Sequence, residues 1–238
     1  MRAFSRYGAL TSAIAVVVLG LSQAAFAAET DSLVARGGRL YDKWYGENKA
    51  EKPGDNHPAY ANKAGEYGSA DSWRCKECHG WDYKGKDGAY GKGKHETGIA
   101  GIAGAAGKDP AALAASFRAA PHSYTDKQLS DDDLQALALF VSAGQIDMSK
   151  YLDADGKPKG DGTKGEAYFN TLCAGCHGLE GHFVAKRHLG KVSRDDPWHS
   201  LHNMLNGHPD DAMPALREID PKVTSDILAH IQTLPERR

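Results

Sequence analysis

The chain has 238 residues, 41% of them hydrophobic and 25% charged, with a formal net charge of −2. That length suits one or two domains. The near-balanced charge, with lysines scattered rather than gathered into a patch, argues against nucleic acid as a partner.

Arg2 and Arg6 open the chain, and an uncharged stretch from Tyr7 to Ala28 follows, apolar from Gly8 to Leu21. Ala25-Phe26-Ala27 is a small-x-small cleavage site, so residues 1–27 read as a secretory signal and the mature chain starts at Ala28. Its removal leaves 27 basic against 31 acidic residues. Left uncleaved, the stretch could just span a bilayer, which takes about 20 apolar residues. No later stretch could, so the mature chain is expected in the periplasm with no membrane span.

Leu33, Val34, Leu40, Tyr41, Trp44 and Tyr45 fall at helical spacing and predict a helix over 33–45 with one apolar face. Residues 46–72 are rich in Gly, Pro, Asn and charge and read as loop. Cys75-Lys76-Glu77-Cys78-His79 follows, and Cys173-Ala174-Gly175-Cys176-His177 repeats the pattern, each with Gly next. Cys-x-x-Cys-His is the attachment signature of a c-type haem. On a helical turn, residues i and i+3 share a face, so both thiols reach one porphyrin edge. The next histidine then lies under the iron as proximal ligand. The two copies use every cysteine in the chain. A zinc or redox Cys-x-x-Cys pair is the plainer alternative, but the immediate His in both copies and the lack of further cysteines argue against it.

The glycine-rich run to Gly107 either lays backbone against a flat cofactor or forms a flexible loop. Asp109-Pro110 starts a helix with Leu113 and Phe117 inward. Ser130 and Asp131–Asp133 cap another, with Leu134, Leu137, Ala138 and Val141 inward and Gly144 at its end. Residues 149–163 read as a linker. Lys164–Leu172 is a short helix, Asp196-Pro197 starts the next, and Thr224–Leu234 is the last. Each half therefore runs helix, attachment site, helix, ligand loop, helix, an internal duplication with few strands.

On these motifs each half resembles a class I c-type cytochrome and the whole a dihaem cytochrome c, a likeness covering roughly residues 31–236. The resemblance implies a mainly α fold of two tandem helical domains, 28–148 and 164–238, and two covalently bound haem c groups. Cys75, Cys78, Cys173 and Cys176 would be attached, with His79 and His177 as proximal iron ligands. It also implies a distal Met before Pro in the second half, which is Met213. Met204, beside Leu205 in a helix, reads as core packing. The first half lacks a Met in the matching place. Asp109 aligns with Asp196 at an offset of 87 and the last helices at 90. At 91, Met213 maps to His122, the expected distal ligand, with Met148 and His95 as alternatives. The remaining histidines have no telling spacing, although His182 and His188 lie near enough to the second site to reach a propionate. Trp81, Tyr83 and Trp198 are expected as pocket walls. The expected role is electron transfer between redox partner proteins through two haems of unequal potential. The rival is a haem enzyme of sulfur-compound oxidation, similar to thiosulfate dehydrogenase, whose cysteine ligand has no counterpart here. A dihaem peroxidase is a third possibility.

Overall fold

The computed structural model describes residues 30–61, 67–183 and 188–236; the expected signal, residues 1–27, lies outside them. Helix starts follow the local chemistry. Asp109 accepts from Ala111 N and Ala112 N ahead of α3 (Pro110–Arg118). Ser130 and Asp133 form a capping box on α4 (Asp131–Leu139), which continues as a π-helical turn, Phe140–Gly144. Asp161 caps α5 (Gly162–Leu172) and Asp196 caps α8 (Pro197–Asn206). Asp220 caps α9 (Pro221–Ile231), three residues earlier than the apolar pattern from Thr224 suggests. Each cap supplies an acceptor for amides the helix cannot satisfy itself. The other helices are α1 (residues 30–47), α2 (Cys75–His79), α6 (Ala174–His177) and α7 (Leu189–Asp195). Sequence periodicity does not foretell α7.

The fold is mainly helical. Among the described residues, β structure is limited to two isolated bridges, Gly85 with Ala100 and Leu152 with Pro158. In both halves the helix ahead of the attachment site crosses the last helix of that half at a glycine. A Cβ on Gly37 would lie 2.1 Å from Ala136 O, and one on Gly165 would lie 1.8 Å from Asp226 O. Backbone meets backbone there because no side chain intervenes.

The two halves share one core. Leu40, Tyr41, Phe140, Leu201, Leu205 and Ile227 belong to a single buried cluster. Helix α1 is wedged between them: Gly37 faces α4, and Gly38 faces Asn206 of α8, where a Cβ would meet the amide at 2.2 Å. Residues 149–163 are folded against this body, with Leu152 buried and Lys159 N donating to Tyr151 O at 2.8 Å.

Polar groups complete the seam. His202 Nε2 donates to Gly38 O at 2.9 Å, so its Nδ1 accepts from Tyr83 Oη, also at 2.9 Å. Trp81 packs on His199 and His202 with ring centres 4.8 and 4.9 Å apart. Arg39 Nη1 donates to Asn206 O at 2.9 Å, and Arg217 bridges Asn206 Oδ1 and Gly144 O at 2.8 and 2.6 Å. Trp81 and Tyr83, expected as cofactor-pocket walls, join the halves through these contacts.

Candidate functional site

The two pentapeptides fold alike over eleven residues. Gly80 N donates to Lys76 O, Tyr83 N to Gly80 O and Gly85 N to His79 O, at 2.9, 3.3 and 2.8 Å. In the second copy Gly178 N donates to Ala174 O, Gly181 N to Gly178 O and Phe183 N to His177 O, at 2.8, 3.1 and 3.0 Å. Every pair is offset by 98 residues, as are the cysteines. The left-handed positions also coincide: Gly80 (φ 79°) and Tyr83 (φ 65°) match Gly178 (72°) and Gly181 (69°). A tyrosine with φ near +65° is an outlier that surrounding structure must hold in place. The turn after each histidine is therefore the same device built from different residues.

Burial pushes the thiols of Cys75 and Cys78 up to about 12 and that of Cys173 up to about 11. Reactive Cys-x-x-Cys pairs work by the opposite shift. Thiols held protonated in apolar surroundings are poor thiolate ligands and suit conversion to thioethers. Burial also lowers the pKa of His79 and His177, keeping the imidazoles neutral and able to donate a lone pair.

At the first site, His79 Nδ1 donates to Ala100 O at 2.7 Å. The glycine-rich run delivers that carbonyl. A Cβ on Gly85 would lie 2.5 Å from Ile99 O, and one on Gly101 would lie 2.1 Å from Tyr83 O, so the crossing of the two strands of chain needs both glycines. His122 Nδ1 lies 3.2 Å from Ser116 O. With both Nδ1 atoms engaged, each Nε2 is left without a hydrogen bond among the described residues. The two ring centres lie 6.1 Å apart, with planes tilted at 46°. Two metal–imidazole bonds of about 2 Å, plus the depth of each ring, require ring centres on the order of 6 Å apart. The donor set fits an iron held between two histidines.

The alternatives lie elsewhere. Met148 is buried in the common core. His95 is stacked between Tyr67 and Tyr90, with ring centres 4.3 and 4.2 Å away, and its Nδ1 lies 2.8 Å from Glu77 Oε1. Glu77 also pairs with Lys76 Nζ at 2.7 Å, and both are buried, at 0% and 5% exposure. The two variable residues of the first pentapeptide thus lock it into the protein, a role no sequence pattern signals.

At the second site Cys176 is exposed and His177 half-buried. Asp211, in the loop leading to Met213, partly offsets the burial-driven fall in the His177 pKa. Met213 is half-buried on the core, while Met204 is buried within α8. Tyr168, Leu172, Leu179 and Phe183, which flank the pentapeptide in sequence, are exposed, the last two at 67% and 71%. Such an apolar surface calls for a covering group, and a flat porphyrin meets that need. His182 and His188 stand 6.1 Å apart between ring centres, with His182 Nδ1 3.6 Å from Glu180.

Residues 160–231 match the family model for cytochrome c oxidase, cbb3-type, subunit III. The match supports a c-type cytochrome and implies covalently bound haem c with iron and a role in electron transfer. Its span includes Cys173, Cys176, His177 and Met213. Searches of the curated proteins and of the solved structures return no match. Among the described residues, no helix is long and apolar enough to cross a membrane.

Proposed function

We propose that the chain is an exported dihaem cytochrome c that carries electrons between redox partner proteins in the periplasm. The observation that carries this reading is the 98-residue structural repeat, which gives the unmatched half the same attachment turn as the half that matches a cytochrome family. Cys75, Cys78, His79 and His122 would hold the first haem, and Cys173, Cys176, His177 and Met213 the second. Haem c supplies a reversible Fe(III)/Fe(II) couple at each site.

The protein residues make the two sites unequal. At the first, two imidazoles stand with ring centres 6.1 Å apart, and the Ala100 carbonyl makes His79 the more basic donor. This set favours the oxidised state. At the second, the Met213 thioether is a soft, neutral donor that favours the reduced state. Electrons would therefore rest on the second site and pass through the first at lower potential. With side chains on both faces, neither iron is open to substrate.

Mixing reduced protein with carbon monoxide, and oxidised protein with cyanide or peroxide, tests this. A carrier binds none of them quickly. Fast binding at one site would instead favour a haem enzyme.

A further inference from the structure

We propose that His57 is a positioning residue of the first site, tying the backbone of His122 to the segment that carries Cys75; this rests on reading His122 as the distal ligand. His57 is buried and sits in an irregular stretch that its sequence gives no reason to single out. Its backbone N–H donates to Ser72 Oγ at 2.8 Å, and that hydroxyl donates to Ser69 O at 2.6 Å. The ring packs edge-on against Trp73, with centres 4.5 Å apart. His57 is therefore fixed to the chain just ahead of the attachment cysteines.

The ring makes two hydrogen bonds that define its tautomer. Ala59 N–H donates to Nδ1 at 3.1 Å, so Nδ1 is an acceptor and the proton is on Nε2. Nε2–H then donates to His122 O at 3.0 Å. The first bond is a local turn contact; the second spans 65 residues and ends on the peptide of the proposed ligand. Two residues further on, Tyr124 Oη donates to Trp73 O at 2.8 Å. The distal loop is thus strapped at two points to residues 72–73, and Cys75 follows two positions later. The separation of His122 from the attachment edge is set by protein bonds that exist without iron. The backbone of His122 cannot draw away without breaking this partly buried hydrogen bond, and its ring is held in turn by the Nδ1 contact with Ser116 O at 3.2 Å.

The test uses the haem-loaded protein, wild type, His57→Asn and His57→Gln. Asn keeps an acceptor for Ala59 N–H in an Asx-turn but is too short to reach His122. Gln carries its amide at the distance of Nε2. The readouts are carbon monoxide affinity of the reduced first site and the bis-imidazole electron paramagnetic resonance signal of the oxidised one. The Met213–iron charge-transfer band serves as a check on folding. His57→Asn should raise carbon monoxide affinity about tenfold, the value of one buried hydrogen bond, and broaden the bis-imidazole signal. His57→Gln should restore both. An Asn variant indistinguishable from wild type, or a Gln variant no better than Asn, overturns the proposal. A wild-type protein without a bis-imidazole signal overturns the ligand assignment itself, whatever the variants do.

Discussion

His79 and His122 show how much a single side chain can be told by its second nitrogen. In each, a backbone carbonyl takes Nδ1, which leaves Nε2 as the lone-pair donor and fixes the plane of the ring. Residue-scale variants should separate the two sites. His122→Ala should let carbon monoxide bind the first site and leave the thioether charge-transfer band intact. Met213→Ala should erase that band and open the second site. Met148→Leu, a volume-conserving change in the core that costs under about 1.5 kcal/mol, should alter neither. Absorption spectra of the three variants with and without carbon monoxide give the answer. The cysteines, the paired histidines and Met213 stand out in the sequence because their spacing is the chemistry. His122 emerges only by aligning one half on the other, since a lone histidine in a loop has no pattern of its own. His57 has no signal at all: its role lies in one long-range hydrogen bond.

Among the elements, the glycine-rich run does the least visible work. Its tight crossing at Gly85 and Gly101 brings the Ala100 carbonyl under His79. Gly101→Ala should force the crossing apart, costing about 1–3 kcal/mol and lowering the melting temperature by several degrees. It should also raise the potential of the first site, because His79 loses the carbonyl that makes it basic. Gly104→Ala, where a Cβ meets nothing within 4 Å, is the control and should change neither melting nor potential. Composition alone left this run open between flexible loop and cofactor contact, and the structure gives it a third use. The helices were more legible. Asp109-Pro110 and Asp196-Pro197 mark starts in plain sight, and Asp220-Pro221 is the same dipeptide, set three residues ahead of the apolar spacing that begins at Thr224.

On the scale of the whole molecule, the halves are joined by buried polar groups rather than apolar surface alone. Charged and histidine residues read outward by default, so the seam formed by Arg39, Arg217, His199 and His202 was not legible from the sequence. It should make stability depend on pH. Burial pushes His199 down to about 3 and His202 down to about 4, from 6.5 when unfolded. Their contribution is complete above pH 6.5 and is lost as pH falls towards those values. Asp196 is raised by burial to about 6, so it opposes one of the two between about pH 4 and 6. For these three groups alone the net between about pH 4 and 6 is about one proton taken up on unfolding, a loss of about 1.4 kcal/mol per pH unit on acidification. Melting temperatures measured from pH 7 to 4.5 should fall accordingly, and His202→Gln should flatten the slope. An unchanged slope would place the acid sensitivity elsewhere.

The duplication of the attachment turn, with a different sixth ligand over each copy, is the claim everything else depends on. An optical redox titration of the purified, haem-loaded protein tests it most directly. Two haems per chain are expected under the proposed function, with two separate one-electron steps, the lower from a bis-imidazole site and the higher from the site bearing the thioether band. One haem per chain, or two haems titrating together with a thioether band at both, would contradict it.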